Sequence, residues 1–526
     1  MLEHLAQNWT VRKPVARSRG GIVATQNRIA GEAGAKILAA GGNAVDAAVA
    51  TGFALAAVEP WNSGLGGVGF MLVYLAQENC VEVVDFGPVS PRALDPADYP
   101  LTGGVTRDLF AWPTVKDDRN VHGPLAVAVP GHVDGLGLAL EKFGSMTFAS
   151  VMQPAIEFAD RGIAVDWYLT LKVATMAREL ARYPATRDIW LPRGVPPVTA
   201  PDAPLERLKL TGLAGTLRRL AHAGRRDFYE GEVSNKIIND INKIGGILTA
   251  GDLKSYRARI VAPLETEYRG ARIALAPGLT AGPSMLRALS ALGESRLPAG
   301  GPHADAFLAY AKVLRDAYAE RLQTMGETSD RRDPSTTTHL NVIDRHGNMV
   351  ALTQTLLSVF GSKVVLPSTG ILMNNGIMWF DPRPGQPNSL APGKRPLTNM
   401  CPLIARRGDG KPWFAIGASG GRRIFPAVFQ IASFLIDYGM TLEDAFHQPR
   451  IDASGGDTVS VDPRLPDAIQ KALAGKFPVA QTELVVYPTN FACPSAVFSD
   501  PADGGHYGIA DVMSPWSAAV TEDDHR

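Results

Sequence analysis

Three short stretches hold residues whose types suit covalent chemistry. The first is DPSTTTH, Asp333 to His339, with three consecutive threonines at the mouth of a strand-like run. A threonine hydroxyl stays protonated at neutral pH and is a poor nucleophile. At a chain N-terminus its own α-amine serves as the base, which requires a cut just before it. The local sequence leaves Thr336, Thr337 and Thr338 open as candidates, and Ser/Thr clusters also simply start strands or form turns. The second stretch is MVALTQTLL, which carries Thr355. The third, GASGGRRI from Gly417 to Ile424, sets Gly420 and Gly421 between a strand-like and a helix-like run. Their unobstructed N–H groups suit the oxyanion of a tetrahedral intermediate, at about 3 kcal/mol per donor. Such turns also bind phosphate or only save space. No Walker A or HExxH arrangement occurs.

These residues need elements to hold them. THLNVID and MVALTQTLL read as the two strands of an antiparallel hairpin around RHGN. If its turn uses three residues, Arg345 to Gly347, Thr337 faces Thr355; other turn lengths move the partner to a neighbour such as Leu356. Opposed residues sit about 5 Å apart at Cβ, so the Thr355 hydroxyl can orient that of Thr337. Upstream, Ile29 to Ala40 has helical spacing and stops at Gly41-Gly42. Asn43 then caps a second helix toward Pro60, apolar nearly all round and hence buried. FMLVYLA and CVEVVDF follow as strands. Phe148 to Tyr318 reads as mainly helical, with a proline-rich surface excursion over 187–206. After the hairpin, SKVVLP, GILMNN, PLIARR and WFAIGA read as strands, and FPAVFQIASFLIDYG and TLEDAFHQPR as helices. Strands and helices in both halves predict one layered α+β body.

The 526 residues can bury a large core. Lys+Arg and Asp+Glu balance at 52 each, which gives no basic excess to point at nucleic acid or anionic lipid. Cys80, Cys401 and Cys493 match no zinc or redox spacing, and an odd, sparse set is no disulfide framework. The expectation is reduced, mostly buried thiols. The N-terminal stretch shows no apolar core of a secretory signal, and Ala44 to Val58 is too short to span a bilayer. The reading is a cytoplasmic protein without a membrane partner.

Taken together, the stretches resemble the γ-glutamyltransferase family of N-terminal nucleophile hydrolases. GGNAVDAAVATGFALAAVEP and NSGLGGVGFML look like that family's opening helices and glycine segment. VPGHVDGL, QPAIEFADRGIAV, FYEGE and GGILTAGDLKSY follow in the family's order. TTHLNVIDRHGNMVALTQT resembles the segment that becomes the new N-terminus, and its leading Thr-Thr-His selects Thr337. NSLAPGKRPLTNM and GASGGRRI resemble the later site loops. The resemblance implies a four-layer αββα sandwich built from two fragments of one precursor, residues 1–336 and 337–526, cut between Thr336 and Thr337. It implies Thr337 as the nucleophile of both processing and catalysis, Thr355 as its positioning hydroxyl, and Gly420 and Gly421 as oxyanion donors. The substrate would be a small-molecule amide of the glutathione type. No metal or organic cofactor is implied. The second fragment is the partner within the chain, and a homo-oligomer is left open.

The glutamyl-binding positions depart from the family. Gly87 follows Asp85-Phe86 where the family has an arginine. Thr398 and Asn399 replace a serine pair before Met400. After Asn374-Asn375, Trp379 stands at an aspartate position, and Gly376 and Met378 replace other polar residues. Leu357 takes the place of an asparagine. Asp381, Arg92 and Lys363 are the nearby charges able to compensate. A γ-glutamyl group carries an α-carboxylate and an α-ammonium, and a buried charge without a partner costs several kcal/mol. The retained chemistry with altered binding residues therefore admits two substrates, a γ-glutamyl amide or a less charged acyl group set against Leu357, Met378, Trp379 and Asn375. A third reading is an unprocessed binding protein of the same fold.

Overall fold

The hairpin around RHGN organises the molecule. In the computed structural model, which describes residues 9–105, 112–325 and 335–526, its arms are Ser335–Ile343 and Met349–Ser358. Four further strands frame the site. In chain order they give β1 (Ile22–Thr25), β2 (Val68–Leu75), β3 (Ser335–Ile343), β4 (Met349–Ser358), β5 (Pro412–Ser419) and β6 (Cys493–Asp500). The turn closes as the three-residue alternative requires. Asp344 N–H donates to Asn348 O at 3.1 Å, and Gly347, at φ +82°, adopts the left-handed conformation that glycine accepts without strain.

The register then runs from Ile343↔Met349 to Thr338↔Gln354 without a slip. It shifts once, between Thr336 and Thr338, so Thr336 pairs with Leu357 and Thr337 stands at a bulge. Bulges re-aim a side chain, and this one falls at the candidate nucleophile.

Two seven-stranded sheets result. In one, β3 lies between β1 and β4, and β4 pairs with β2. In the other, β5 pairs with β6. The sheets face each other across an apolar layer that includes Ile22, Leu72 and Ile343 from the first and Ile404, Ala415 and Val497 from the second. Strand alternation sends even-numbered β3 residues the other way, where Leu340 and Val342 pack with helices α1 (Arg28–Ala39) and α2 (Ala44–Val58). The second sheet's outer face packs on residues of Gly282–Gly293, Ala304–Met325 and Ile424–Asp437.

The helix starts follow the sequence signals. Asn27 Oδ1 caps α1 through the Ile29 N–H, and Asn43 and Asp46 form a reciprocal capping box on α2. Every residue of α2 is buried, as its unbroken apolar surface requires. One expectation needs correction. The region read as mainly helical contains five short strands, Ile163–Ala164, Arg207–Leu208, Arg259–Val261, Leu264–Tyr268 and Ala271–Leu275, of which the last three join the two large sheets. These three lie at sheet edges or next to one, and in Leu264–Tyr268 alternate residues face solvent. The reading of 187–206 as a surface excursion holds for Val195, Val198 and Leu205, all more than half exposed, but Trp190 and Leu191 are buried.

One close contact between the sheets is made by His339. His339, on the inter-sheet face of β3, donates or accepts through Nδ1 with Thr353 Oγ1 at 2.8 Å and through Nε2 with Asn341 Oδ1 at 3.1 Å. Its ring lies over Gly417 of β5, where a Cβ would fall 2.3 Å from His339 Cε1. With both ring nitrogens engaged, the ring has no low-cost retreat. Gly417→Ala is therefore expected to destabilise the protein by about 1–3 kcal/mol through overpacking, read as a lower Tm.

Candidate active site

Strand alternation, which puts His339 and Ile343 on the inter-sheet face, puts Thr337 there too, and the bulge sets both Thr355 and Leu356 opposite it. Its side chain is 6% exposed, and its hydroxyl donates to Thr355 Oγ1 at 3.3 Å. Thr355 Oγ1 also accepts the Leu357 N–H at 2.8 Å. That contact needs Leu357 at φ +86°, a conformation that a leucine adopts only under constraint. Thr336 is placed by its backbone pairing alone, one residue before the bulge.

His339 lies two residues from Thr337 and is no base for it. Burial without a charged partner drives its pKa down to about 3, so the imidazole stays neutral.

Gly420 and Gly421 follow β5 directly and lead through one 3₁₀ turn, Gly421–Arg423, into the helix Ile424–Asp437. This turn packs against β3. Both glycines have positive φ, +131° and +61°, and a Cβ on Gly420 would fall 2.8 Å from Ala492 Cα. The sequence thus permits a tight backbone turn beside β3 that no other residue type would allow.

The remaining candidates divide by what their polar atoms already do. Asn375 is a strut: Oδ1 accepts Ser358 N–H at 3.1 Å, and Nδ2 donates to Val121 O at 2.7 Å and Ser358 Oγ at 2.8 Å. Thr398 gives its N–H and hydroxyl to Leu279 O. Asn399 differs, since its Nδ2 is buried with no hydrogen-bond partner. Arg321, unremarked in the sequence, holds both residues through Thr398 O and Asn399 Oδ1. Leu357, Met378 and Trp379 are buried in the inter-sheet cluster with Phe70 and Met400.

The compensating charges are placed differently from the expectation. Asp381 is fully buried but committed to Arg383, whose Nε and Nη2 both reach its carboxylate. Arg92 is exposed. Lys363 is buried and donates to Ser358 Oγ at 2.9 Å and Gly361 O at 2.8 Å. The guanidinium at Gly87 comes instead from Arg395. Its Nη1 bonds Asp85 Oδ1 at 2.9 Å and lies 3.2 Å from the position a Gly87 Cβ would take. Arg259 meets the same aspartate, so two guanidiniums share one carboxylate beside Gly87.

All three cysteines are free, and burial pushes the Cys401 thiol up to about 12. Among the described residues no group of His, Cys, Asp and Glu is arranged to hold a metal ion, and no helix is long and apolar enough to cross a membrane.

The family model described as gamma-glutamyltranspeptidase matches residues 30–332 and 319–520. The chain belongs to this family. Among its relatives, the acylase ACY 1 proenzyme of Pseudomonas sp. (strain SE83) is 34% identical over 504 residues, covering 88% of each chain. The glutathione hydrolase proenzyme of Escherichia coli (strain K12) is 32% identical over 487 residues, covering 82% of this chain and 81% of that one. The cephalosporin acylase of Bacillus halodurans shares the fold, with a TM-score of 0.85 over 99% of both chains at 24% identity. The family assignment gives the Thr337 segment its family context. It leaves open which of two differently named relatives the acyl site follows.

The neutral state of His339 is testable. Its Hε1 resonance is expected to stay fixed while the pH is lowered from about 8 to 5, where exposed histidines titrate. A midpoint near 6.5 would remove the burial argument.

Proposed function

We propose that this chain is an autoprocessing amide hydrolase or acyltransferase, built as the αββα sandwich of N-terminal nucleophile hydrolases, with Thr337 as nucleophile. The observation that carries the reading is the Thr337–Thr355 hydroxyl contact at a bulge directly after Thr336. The names of its relatives, both proenzymes, agree with a chain that is cut before use.

In the intact chain the Thr337 nitrogen is an amide and cannot act as a base. Processing starts when Thr337 Oγ attacks the Thr336 carbonyl carbon. The C–N bond breaks, the nitrogen takes up a proton, and an ester remains on Oγ. Water hydrolyses that ester and leaves a Thr336 carboxylate and a free Thr337 amine. The amine, with an ordinary pKa of about 7.7–8, then takes the Oγ proton in turnover. Oγ attacks the substrate amide, the N–H groups of Gly420 and Gly421 hold the oxyanion, and the leaving amine departs with the proton. Water or an amine then releases the acyl group from Thr337.

For the acyl group we favour one that lacks the α-ammonium. Trp379 stands where the family has its aspartate, and Asp381 is engaged by Arg383. Leu357, Met378 and Trp379 line the region with apolar surface, while Asn399 Nδ2 and the Arg395 guanidinium are donors for oxygen. A γ-glutamyl amide is the second reading, since Arg395 beside Gly87 supplies a positive charge for its carboxylate.

On a denaturing gel, purified protein is expected to give two bands, the smaller one beginning Thr-Thr-His-Leu, while Thr337→Ala remains a single 56.1 kDa chain. A break elsewhere, or full activity without one, would overturn the reading. Thr355→Val should slow processing and turnover about tenfold, the scale of one lost hydrogen bond. In initial-rate assays, glutaryl p-nitroanilide should show at least about tenfold higher kcat/KM than its γ-glutamyl counterpart, because the added ammonium has no counter-charge. The reverse order would restore the glutamyl substrate.

A further inference from the structure

Behind the nucleophile strand lies a buried carboxyl group that the reaction above does not use. Glu59 closes α2, giving its N–H to Leu55 O at 2.8 Å. Glu59 Oε1 accepts a hydrogen bond from Asn62 Nδ2. The Asn62 carbonyl in turn accepts the Leu356 N–H at 2.9 Å, and Leu356 is the residue after Thr355. The Thr338 hydroxyl, one residue after Thr337, lies close enough to the Glu59 carboxyl to hold its pKa down. Neither Thr338 Oγ1 nor Glu59 Oε2 has a hydrogen-bond partner, although both are buried. One acid–amide pair therefore reaches both strands of the hairpin, next to each of the two threonines and from the face opposite their hydroxyls.

We propose that Glu59 is a positioning residue: through Asn62 it holds the backbone of Leu356 next to Thr355, and its unpartnered carboxylate oxygen is the acceptor open to the unpartnered Thr338 hydroxyl, so that the backbone carrying Thr337 is kept against the one carrying Thr355. Protonation makes one of its oxygens a donor and removes the charge to which Asn62 donates. The inference rests on Thr337 being the nucleophile.

The surroundings make this group titrate in the working range. Burial raises the Glu59 pKa to about 7, against the pull of Lys172, Asn62 and Thr338. Lys172, on the helix Trp167–Leu180, lies over the rings of Tyr168 and Tyr487 at 4.8 and 4.4 Å, and burial lowers it to about 8. Tyr168 and Cys493 complete the buried set; burial raises both, so they stay neutral. Glu59 also lines a cavity of about 270 Å³ whose charged walls are Glu32, Lys36, Arg161, Asp166 and Arg207. Lys36, Arg161 and Arg207 are exposed, so solvent protons reach this cavity.

The test is the slope of log(kcat/KM) against pH in the processed enzyme, measured with glutaryl or γ-glutamyl p-nitroanilide, whichever is turned over. The Thr337 amine must lose a proton, which sets a slope of one, and ionisation of Glu59 adds about tenfold, so the slope of the acid limb in the natural protein should steepen toward two over about one pH unit. Glu59→Gln should reduce it to one and lower kcat about tenfold at pH 8 with KM nearly unchanged, the pattern of a misplaced nucleophile. Thr338→Val, which keeps the side-chain shape, should show the same loss of slope and carries the test if Glu59→Gln does not fold. A slope of two retained in either variant overturns the proposal. Activity surviving in Thr337→Ala would instead overturn the assignment of the nucleophile.

Discussion

The approach of two threonine hydroxyls to 3.3 Å is the contact on which the rest of this structure turns. Neither residue is special in composition. The contact exists because a three-residue turn sets the hairpin register, a single bulge sets Thr355 and Leu356 opposite Thr337, and a left-handed Leu357 points its N–H back at Thr355. Each device is local. The sheets then immobilise it: β3 and β4 are flanked by β1 and β2, and His339 is wedged against Gly417 of the facing sheet. A neutral, doubly hydrogen-bonded imidazole suits that role, since a charged one would carry a large desolvation cost there.

Both sheets contain strands from before and from after the Thr336–Thr337 bond. A cut at that bond leaves the neighbouring ladders and the three apolar layers in place. The fold therefore permits a new chain terminus at its centre with little loss of stability. The cost of creating an amine there is confined to the few residues around the bulge, where polar groups such as Thr338, Glu59 and Asn62 are gathered.

Charge is distributed around the site by trade rather than by loss. The position of the family's arginine is a glycine, yet a guanidinium from Arg395 stands in that space, tied to Asp85. The aspartate nearest Trp379 is neutralised by its own neighbour, Arg383. The region thus holds the Arg395 guanidinium beside Gly87, while the Asp381 carboxylate is engaged by Arg383. Buried ion pairs hold geometry more than they add stability, and both pairs here fix loops that carry Gly87 and Trp379.

The sequence by itself determined the elements whose signals are local. Capping residues Asn27 and Asn43, the apolar α2 and the glycine-permitted turns at Gly347 and Gly420 follow from side-chain size and hydrogen-bonding capacity within a few residues. The alternative turn lengths narrowed Thr337's partner to Thr355 or a neighbour, and the family resemblance chose among three threonines. Only the tertiary structure decided what depends on distant segments. Arg395 meets Gly87 across 308 residues, Asp381 is taken by Arg383, and Asn375 spends its polar atoms on Val121 and Ser358. The three strands between Arg259 and Leu275 were hidden because they lie at or near sheet edges, where solvent tolerates a mixed pattern. Glu59 was likewise unreadable: a glutamate after a helix signals nothing until burial beside the nucleophile strand moves its proton affinity to neutrality.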